Sequence, residues 1–527
     1  MKKIVLFLII IAIAIGAGYF VYKTFFAERD YNVIFFTLDT TRADYIDTGE
    51  GAKAKTPVLK EISKTSLVCE NAYTTIPITM PSHTSIFTGV FPYEAGVFNN
   101  GEIYEGKHQT LAEIFKKRGY VTGAVISLGV LLKEHKLDKG FDYYIDDFSK
   151  AFPAYFLPAN IVTKRGLKLL KKVKDKKFFL WLHYSDPHEP YAPPSFKKIV
   201  RIKLNNKVVK YFNLYDVIPL KIKLELNRGK NTLFFTQLKY LKLFMPFPLR
   251  IKNLKILEKD SNVKISFLNT KIFKRRNLLI LNHKSFFELY SPKKQKITLS
   301  FSVKPNLPSS SKIMLYEREV EYMDNQIGKI IDYLKKNKLF EKTVLVFVGD
   351  HGEGLGEYHD NFGHIHFLRP QYTRVPLIIK FPNSSKKTIT KNPVSTIDIV
   401  PTLLKYMRFK EKNLRISGTP ILKSKSNRVI FSYTYRPESY FNGISILYKN
   451  HMFLKYTGMK IFEEFLDLTK NDGYTLSDNL IKDPRYLNEI KKMRKLAKIK
   501  LKEARRKKAR GVFSEETKKI LKSLGYL

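Results

Sequence analysis

Cysteine is almost absent from this chain: one residue, Cys69, in 527. A single thiol can neither close an intrachain disulfide nor build a C-x-x-C zinc module, so both scaffolds are excluded. Cys69 reads as a buried, inert side chain. Acidic residues are scarce too. Against 94 Lys and Arg stand 48 Asp and Glu, a net charge of +46 at neutral pH. Tandem repeats are also missing. What is plentiful is core material, with hydrophobic residues at 44% and aromatics at 13%, which excludes a mostly disordered chain. The length implies several structural units. A basic excess of this size invites a nucleic-acid or polyanion reading, and its location along the chain decides whether that reading holds.

One long uncharged run stands at the start. Ile4 to Tyr22 holds 19 positions without a charge, and as a helix it would reach about 28 Å, close to the hydrocarbon thickness of a bilayer. Lys2 and Lys3 precede it, whereas Lys23 and Arg29 beyond it are offset by Glu28 and Asp30. That bias keeps the N-terminus in the cytoplasm and puts the rest outside. The expectation is a signal-anchor within 1–30 of a single-pass cell-membrane protein whose catalytic part is extracytoplasmic. A cleaved signal peptide is the rival, although its apolar region usually stops at about 7–15 residues.

Beyond the anchor, Val33 to Leu38 (VIFFTL) ends in Asp39, and Thr343 to Val348 (TVLVFV) ends in Gly349-Asp350. Both read as fully buried strands. Helical patterns lie between such runs, as in Thr110 to Arg118 and Glu317 to Lys336. The alternation predicts an α/β fold with a mostly parallel sheet flanked by helices, in which functional residues gather beyond the carboxyl ends of strands. Residues 197–307 break the rhythm. Alternating runs such as Lys221 to Leu226 (KIKLEL) and Lys296 to Val303 (KITLSFSV) predict an inserted antiparallel β-sandwich. The expected organisation is a catalytic domain in two parts, 31–196 and 308–425, a small C-terminal α+β subdomain over 426–480, and a basic helical tail over 481–527.

Acidic, hydroxyl and imidazole residues recur at the strand ends: Asp39, Thr79, Asp350 and His351, with His188 and His364 as further candidates. Carboxylate oxygens and imidazole nitrogens suit a divalent cation. Asp39, Thr79, Asp350 and His351 would make a four-ligand set for one metal, whose task would be to lower the pKa of the Thr79 hydroxyl and neutralise charge on a phosphoryl or sulfuryl oxygen. Thr79-Met80-Pro81-Ser82 opens a predicted helix, and its N-terminus favours an anionic ester group.

In order along the chain, Val33 to Asp44 (VIFFTLDTTRAD), Thr79 to Gly89 (TMPSHTSIFTG), Thr110 to Tyr120 (TLAEIFKKRGY), Asp186 to Tyr191 (DPHEPY), Gly349 to Gly352 (GDHG), and Gly363-His364 ahead of Arg374-Val375-Pro376-Leu377 together resemble the sulfatase branch of the alkaline phosphatase superfamily. The resemblance runs from about Tyr31 to Leu480, interrupted by the insert, and implies an alkaline-phosphatase-like sheet. The departures are informative. Family sulfatases begin a C/S-x-P-S-R motif with a residue that becomes formylglycine. Here Thr79 holds that position, which cannot give the aldehyde, and His83 replaces the Arg. The family's paired Asp-Asp is Asp39-Thr40, its Lys-Trp-His string is absent, and Asp350 precedes His351 rather than Asn. The site is thus more similar to the phosphodiesterase and phosphoglycerol- or phosphoethanolamine-transferring relatives. In those a metal-bound Thr attacks phosphorus, and zinc or manganese is favoured over calcium or magnesium.

That resemblance implies Thr79 as nucleophile and His188 as the group that protonates the leaving oxygen, with His83, Asn100 and His364 facing the substrate. Asp186, His188 and His364 are an alternative second metal site, and Asn100 could equally be a turn residue. Arg42 with Asp44 would steady the first loop, Arg374 would be structural, and Tyr316 and Asp324 would pack and cap. The leading expectation is a membrane-anchored hydrolase or transferase of phosphate mono- or diesters acting on a small-molecule, lipid-headgroup or glycan ester. One alternative is a glycan sulfatase without formylglycine, and another is a non-catalytic polyanion binder. Location finally resolves the charge. Residues 201–310 hold 24 Lys and Arg against 5 Asp and Glu, a net of +19, and residues 491–527 hold 15 against 3, a net of +12. Most of the excess lies outside the motifs. A general Lys-rich bias accounts for much of it, and anionic headgroups are the functional alternative. Outward topology and an ester-cleaving site disfavour nucleic acid as a partner.

Overall fold

The computed structural model describes residues 27–505 apart from 50, 150–155, 190, 192, 195–199, 213–219, 238–248, 274–277, 306–307, 359–360, 437–440, 459–460 and 470–478. The anchor expected over Ile4 to Tyr22 lies outside the described residues. Among the described residues, no helix is long and apolar enough to cross a membrane.

Three seven-residue runs of aromatic and aliphatic side chains build the centre: Asn32–Leu38, Phe178–Tyr184 and Thr343–Gly349, each buried at every position. Burial on both faces is what a parallel strand between two helical layers requires. Neighbouring side chains serve opposite layers. Phe35 packs against Phe87 of the helix Thr79–Thr88, whereas Phe36 stacks on Phe347. The eight-stranded sheet runs Thr388–Thr390, Leu67–Cys69, Leu377–Lys380, Thr343–Gly349, Asn32–Leu38, Phe178–Tyr184, Val121–Val125, Tyr143–Ile145. The five strands from Thr343–Gly349 to Tyr143–Ile145 are mutually parallel, and Leu377–Lys380 is antiparallel to both its neighbours. This is the α/β, mostly parallel architecture expected. On one layer the helices Ala159–Val173 and Ser309–Lys336 meet at Gly166, where an added Cβ would lie 3.1 Å from Leu182 and 3.4 Å from Ile330.

Register places the site. Leu38 pairs with Gly349 on one side and Tyr184 on the other, so the chain leaves all three strands at one level. Asp39, Asp350 and Ser185 emerge together at the carboxyl edge, as the crevice rule for open α/β sheets requires.

The described residues between 200 and 305 form an eight-stranded antiparallel sheet. The long strand Leu278–Ser291 pairs along one edge with Lys264–Phe273, and along the other first with Leu249–Lys252 and then with Gly229–Phe234. That shared strand lets the sheet fold on itself. Phe235 consequently meets both Phe287 and Phe301. The two layers of this sandwich therefore belong to one hydrogen-bonded network rather than to two separate sheets. Farther on, Ile430–Arg436, Phe441–Tyr448, His451–Thr457 and Phe462–Asp467 make a four-stranded antiparallel sheet. The helix Leu487–Glu503 buries Ile490, Met493 and Ala497 in the same cluster as Tyr433, Ile444 and Phe465. Its apolar positions follow helical spacing, so the first part of the basic tail is a packed layer of the C-terminal unit.

Candidate active site

Thr79 is the first residue of the helix Thr79–Thr88. The Asn100 side-chain oxygen accepts the Met80 N–H at 2.8 Å, satisfying one of the amides a helix start leaves open. Ser82 Oγ donates to the Asp350 carbonyl at 2.7 Å, tying the helix to the strand end opposite.

Asp350 is held with equal definition. Its Oδ1 accepts the N–H groups of Thr40 and His351 at 3.1 and 2.7 Å. To aim its amide there, Thr40 takes φ +52°, a left-handed conformation costly for a β-branched residue. Tyr316 helps to hold it by donating to the Thr40 carbonyl at 2.7 Å and accepting the Arg42 N–H at 3.0 Å. The Arg42 guanidinium, buried, bonds both oxygens of Asp44 at 2.9 Å.

Within this frame Asp39, Asp350 and His351 converge, all fully buried, with ligand atoms within 4.8 Å of one another. Oδ1 of Asp39 and Oδ2 of Asp350 have no hydrogen-bond partner, while Oδ2 of Asp39 faces the His183 ring nitrogen 3.2 Å away. His351 donates Nδ1–H to the Gly352 carbonyl at 3.0 Å, which presents the Nε2 lone pair to the cluster. That nitrogen lies 3.3 Å from Thr79 Oγ1, 3.3 Å from Asp350 Oδ2 and 3.8 Å from Asp39 Oδ1. Ligands at about 2.1 Å around a tetrahedral ion stand about 3.4 Å apart, so the donor set fits one small divalent cation.

Electrostatics agree. Burial pushes the Asp39 carboxyl up, but the His183 hydrogen bond and charge, with His351, hold it well below the usual range. Burial, then the Asp39 charge, drives Asp350 well above it. Two adjacent buried carboxylates stay ionised together only beside a cation. Burial also pushes His83, His351 and His364 down to about 3 each, so these rings are neutral at pH 7.

Around the cluster stand four more imidazoles. His183 takes the Ser127 backbone N–H on Nδ1 at 3.3 Å and contacts Ser127 Oγ at 2.8 Å, so its Nε2–H points at Asp39 Oδ2, 3.2 Å away. It orients Asp39 rather than binding an ion. His83 donates from Nδ1 to the Thr79 carbonyl at 2.8 Å and lies against Trp181 and His183. The ring is fully buried, and its Nδ1 also lies 3.6 Å from Asp350 Oδ2. His188 gives Nδ1–H to the Glu189 carbonyl at 2.7 Å, and its ring lies 5.1 Å from that of His364, itself 4.4 Å from His351. His364 Nδ1 bonds Glu353 at 2.8 Å, whose other oxygen accepts from Tyr191 at 2.6 Å.

The second metal site considered from Asp186, His188 and His364 is not assembled among the described residues. Asp186 Oδ1 instead accepts the Ala159 N–H at 2.9 Å at the start of a helix, and burial lifts its pKa to about 7. Asp324 caps another helix start through Val58 and Leu59, and Arg374 bonds the Glu70 carbonyl. Sequence reasoning missed His183 and Glu353. An imidazole in an otherwise apolar buried strand, and a carboxylate directly after Asp-His-Gly, were the available signals.

A cation cradle at the carboxyl edge of a parallel sheet, with a hydroxyl on the opening turn of a helix, is the site of a metal-dependent ester hydrolase. The chain belongs to the sulfatase family, whose profile matches residues 31–409. It is 23% identical over 502 residues to N-acetylglucosamine-6-O-sulfatase of Bacteroides thetaiotaomicron, covering 87% of this chain and 82% of that protein. An ulvan-active sulfatase of Formosa agariphila is 23% identical over 385 residues, covering 72% and 62%. The fold is also that of the phosphonate monoester hydrolase of Silicibacter pomeroyi, at TM-score 0.58 and 15% identity over 90% of this chain and 96% of that one.

Proposed function

We propose that this chain cleaves phosphate mono- or diesters, by hydrolysis or transfer, with Thr79 as the nucleophile. The observation that carries the reading is Thr79 Oγ1 at 3.3 Å from His351 Nε2, at the edge of the Asp39–Asp350–His351 cradle. Asp39, Asp350, His351 and Thr79 would hold the cation, and an imidazole in a small four-donor set favours zinc or manganese over calcium. When bound, it supplies Lewis acidity toward the Thr79 hydroxyl and the ester's non-bridging oxygens. Thr79 releases its hydroxyl proton to solvent, its Oγ–P bond forms as the ester O–P bond breaks, and the leaving oxygen takes the Nε2 proton of His188 in its imidazolium form, which is restored by the proton of the second nucleophile. His364 orients the phosphoryl group, and Asn100 and His83 hold Thr79 in line. Water or an acceptor hydroxyl then attacks the phosphothreonine, restoring the hydroxyl of Thr79.

The second reading, sulfate-ester hydrolysis on glycans without formylglycine, draws support from the sequence relatives, which are named as an N-acetylglucosamine-6-O-sulfatase and an ulvan-active sulfatase. Threonine weighs against it, since it lacks the second hydroxyl with which a formylglycine hydrate expels sulfate. An aryl sulfate, a phosphate monoester and a phosphodiester, run on one metal-loaded preparation, separate the two. Turnover of the phosphate esters with a loss of at least ~10³-fold in Thr79→Ala, and phosphothreonine in the quenched enzyme, is the expected result. Preferential turnover of the sulfate ester selects the second reading, and full activity in Thr79→Ala overturns both. Hydropathy supports anchoring by Ile4 to Tyr22 in the cell membrane and the flanking charge bias supports an extracytoplasmic site; alkaline extraction of membranes tests the anchoring.

A further inference from the structure

The insert's strands Leu220–Leu226, Gln295–Pro305 and Leu249–Ile256 lie side by side. Their inward positions, including Ile222, Leu224, Ile297, Leu299 and Ile251, are buried, so the alternate positions face water. Those outward positions are strongly one-signed. Lys221, Lys223, Arg250, Lys252, Lys255 and Lys296 are all exposed. Register sets hydroxyls between them: Ser300 pairs with both Lys221 and Lys255, Thr298 with Lys223, and Ser302 with Lys252. Two carboxylates share the face, and Glu225 is the cross-strand partner of Lys296. Glu225 lies 3.8 Å from Lys294, and Glu258 accepts the Thr298 N–H beyond the strand end.

We propose that this face docks a linear polyanion, independently of the function proposed above. Charge complementarity identifies the occupant. Cations recur about every 6.8 Å along a strand and, on either side of the strand Gln295–Pro305, about 9.6 Å apart, with the hydroxyls of Thr298 and Ser302 between them for the polymer's oxygens while Ser300 is buried. A lipid surface fits less well, because the exposed apolar side chains Val208, Leu268, Ile272 and Tyr290 belong to other strands and Leu257 lies past the strand end.

The test compares two variants of the full chain. One carries Lys221→Thr, Lys223→Thr, Lys252→Thr and Lys255→Thr; the other carries Lys491→Gln, Lys492→Gln, Lys495→Gln and Lys498→Gln on the C-terminal helix and removes the same charge. Binding of dextran sulfate at 0.1 M salt and of anionic phospholipid vesicles is measured, alongside turnover of a small ester. The expected result is at least 30-fold weaker dextran sulfate binding for the insert variant, under threefold for the helix variant, and unchanged small-ester turnover in both. Equal weakening in the two variants, unchanged binding in the insert variant, or binding confined to vesicles overturns the proposal. Should the fourfold variant not fold, the pair Lys221→Gln and Lys255→Gln flanking Ser300 gives the same comparison, with at least fivefold weakening expected. Absence of small-ester turnover in the native chain counts against the function reading and leaves the binding arms intact.

Discussion

The central strands and the insert's strands solve the same problem, covering a sheet, in opposite ways. Asn32–Leu38 is buried at every position, while Lys221 to Leu226 alternates exposed and buried residue by residue. Where both faces are covered, polar groups survive only at strand ends and only with defined partners, as Asp350 and His183 show. Where one face is open, side chains vary at little cost and charge accumulates. The first region places atoms for chemistry; the second sets a field.

The sharpest way to break that contrast is to remove one carboxylate from the cradle. Asp350→Asn should lose most of its bound metal by elemental analysis, with at least ~10³-fold lower turnover, although Asn keeps an acceptor for Thr40 and His351. Stoichiometric metal in that variant would place the cation elsewhere. Glu353→Gln comes next. It keeps an oxygen near His364 and Tyr191 but replaces a carboxyl that burial lifts to about 8 with an amide that cannot accept at both positions, and loss of an orienting partner of this kind typically costs ~10–100-fold. The expected loss is in kcat with little change in KM, whereas a loss confined to thermal stability would make Glu353 structural.

A smaller effect tests burial through pH. Burial lifts the Asp324 carboxyl to about 6, against the Leu59 and Val58 amides that pull it down. Its folded pKa exceeds the unfolded value near 4, so the native state binds the proton more tightly. The stability this gives is full below pH 4 and is lost as pH rises through 6, up to ~2–3 kcal/mol at one pKa unit per ~1.4 kcal/mol. The Tm of Asp324→Asn relative to the native chain should therefore climb between pH 4 and 7; a constant difference would show no shifted proton. The least effect belongs to the insert: Lys223→Thr, at an exposed strand position, should change unfolding free energy by no more than ~0.5 kcal/mol in urea.

Much of this contrast was legible in the sequence, because period and burial leave direct marks. The run VIFFTL ahead of Asp39 and the alternation KIKLEL announced the two kinds of strand, and Asp39, Thr79, Asp350 and His351 stood where strands had to end and a helix had to begin. His183 escaped because its role depends on register: it meets Asp39 only once Tyr184 aligns with Leu38. Asp186 misled for the complementary reason, its neighbour His188 reaching the site while its own carboxylate turns to Ala159. The fold of the insert's sheet through one shared strand was equally invisible, since alternation specifies faces and not partners.

Trp181 is the chain's one tryptophan. Its indole N–H bonds Thr37, and its ring lies against His83 and Phe87 directly beneath Thr79. The Thr40–Asp350 bond above it closes a separation of 310 positions, with the whole insert looped out between. Contacts of that span form late in folding. Indole emission therefore reports when the core around the nucleophile has closed, and metal capture reports when the distant strand has arrived, so the chain carries two built-in clocks for its own assembly.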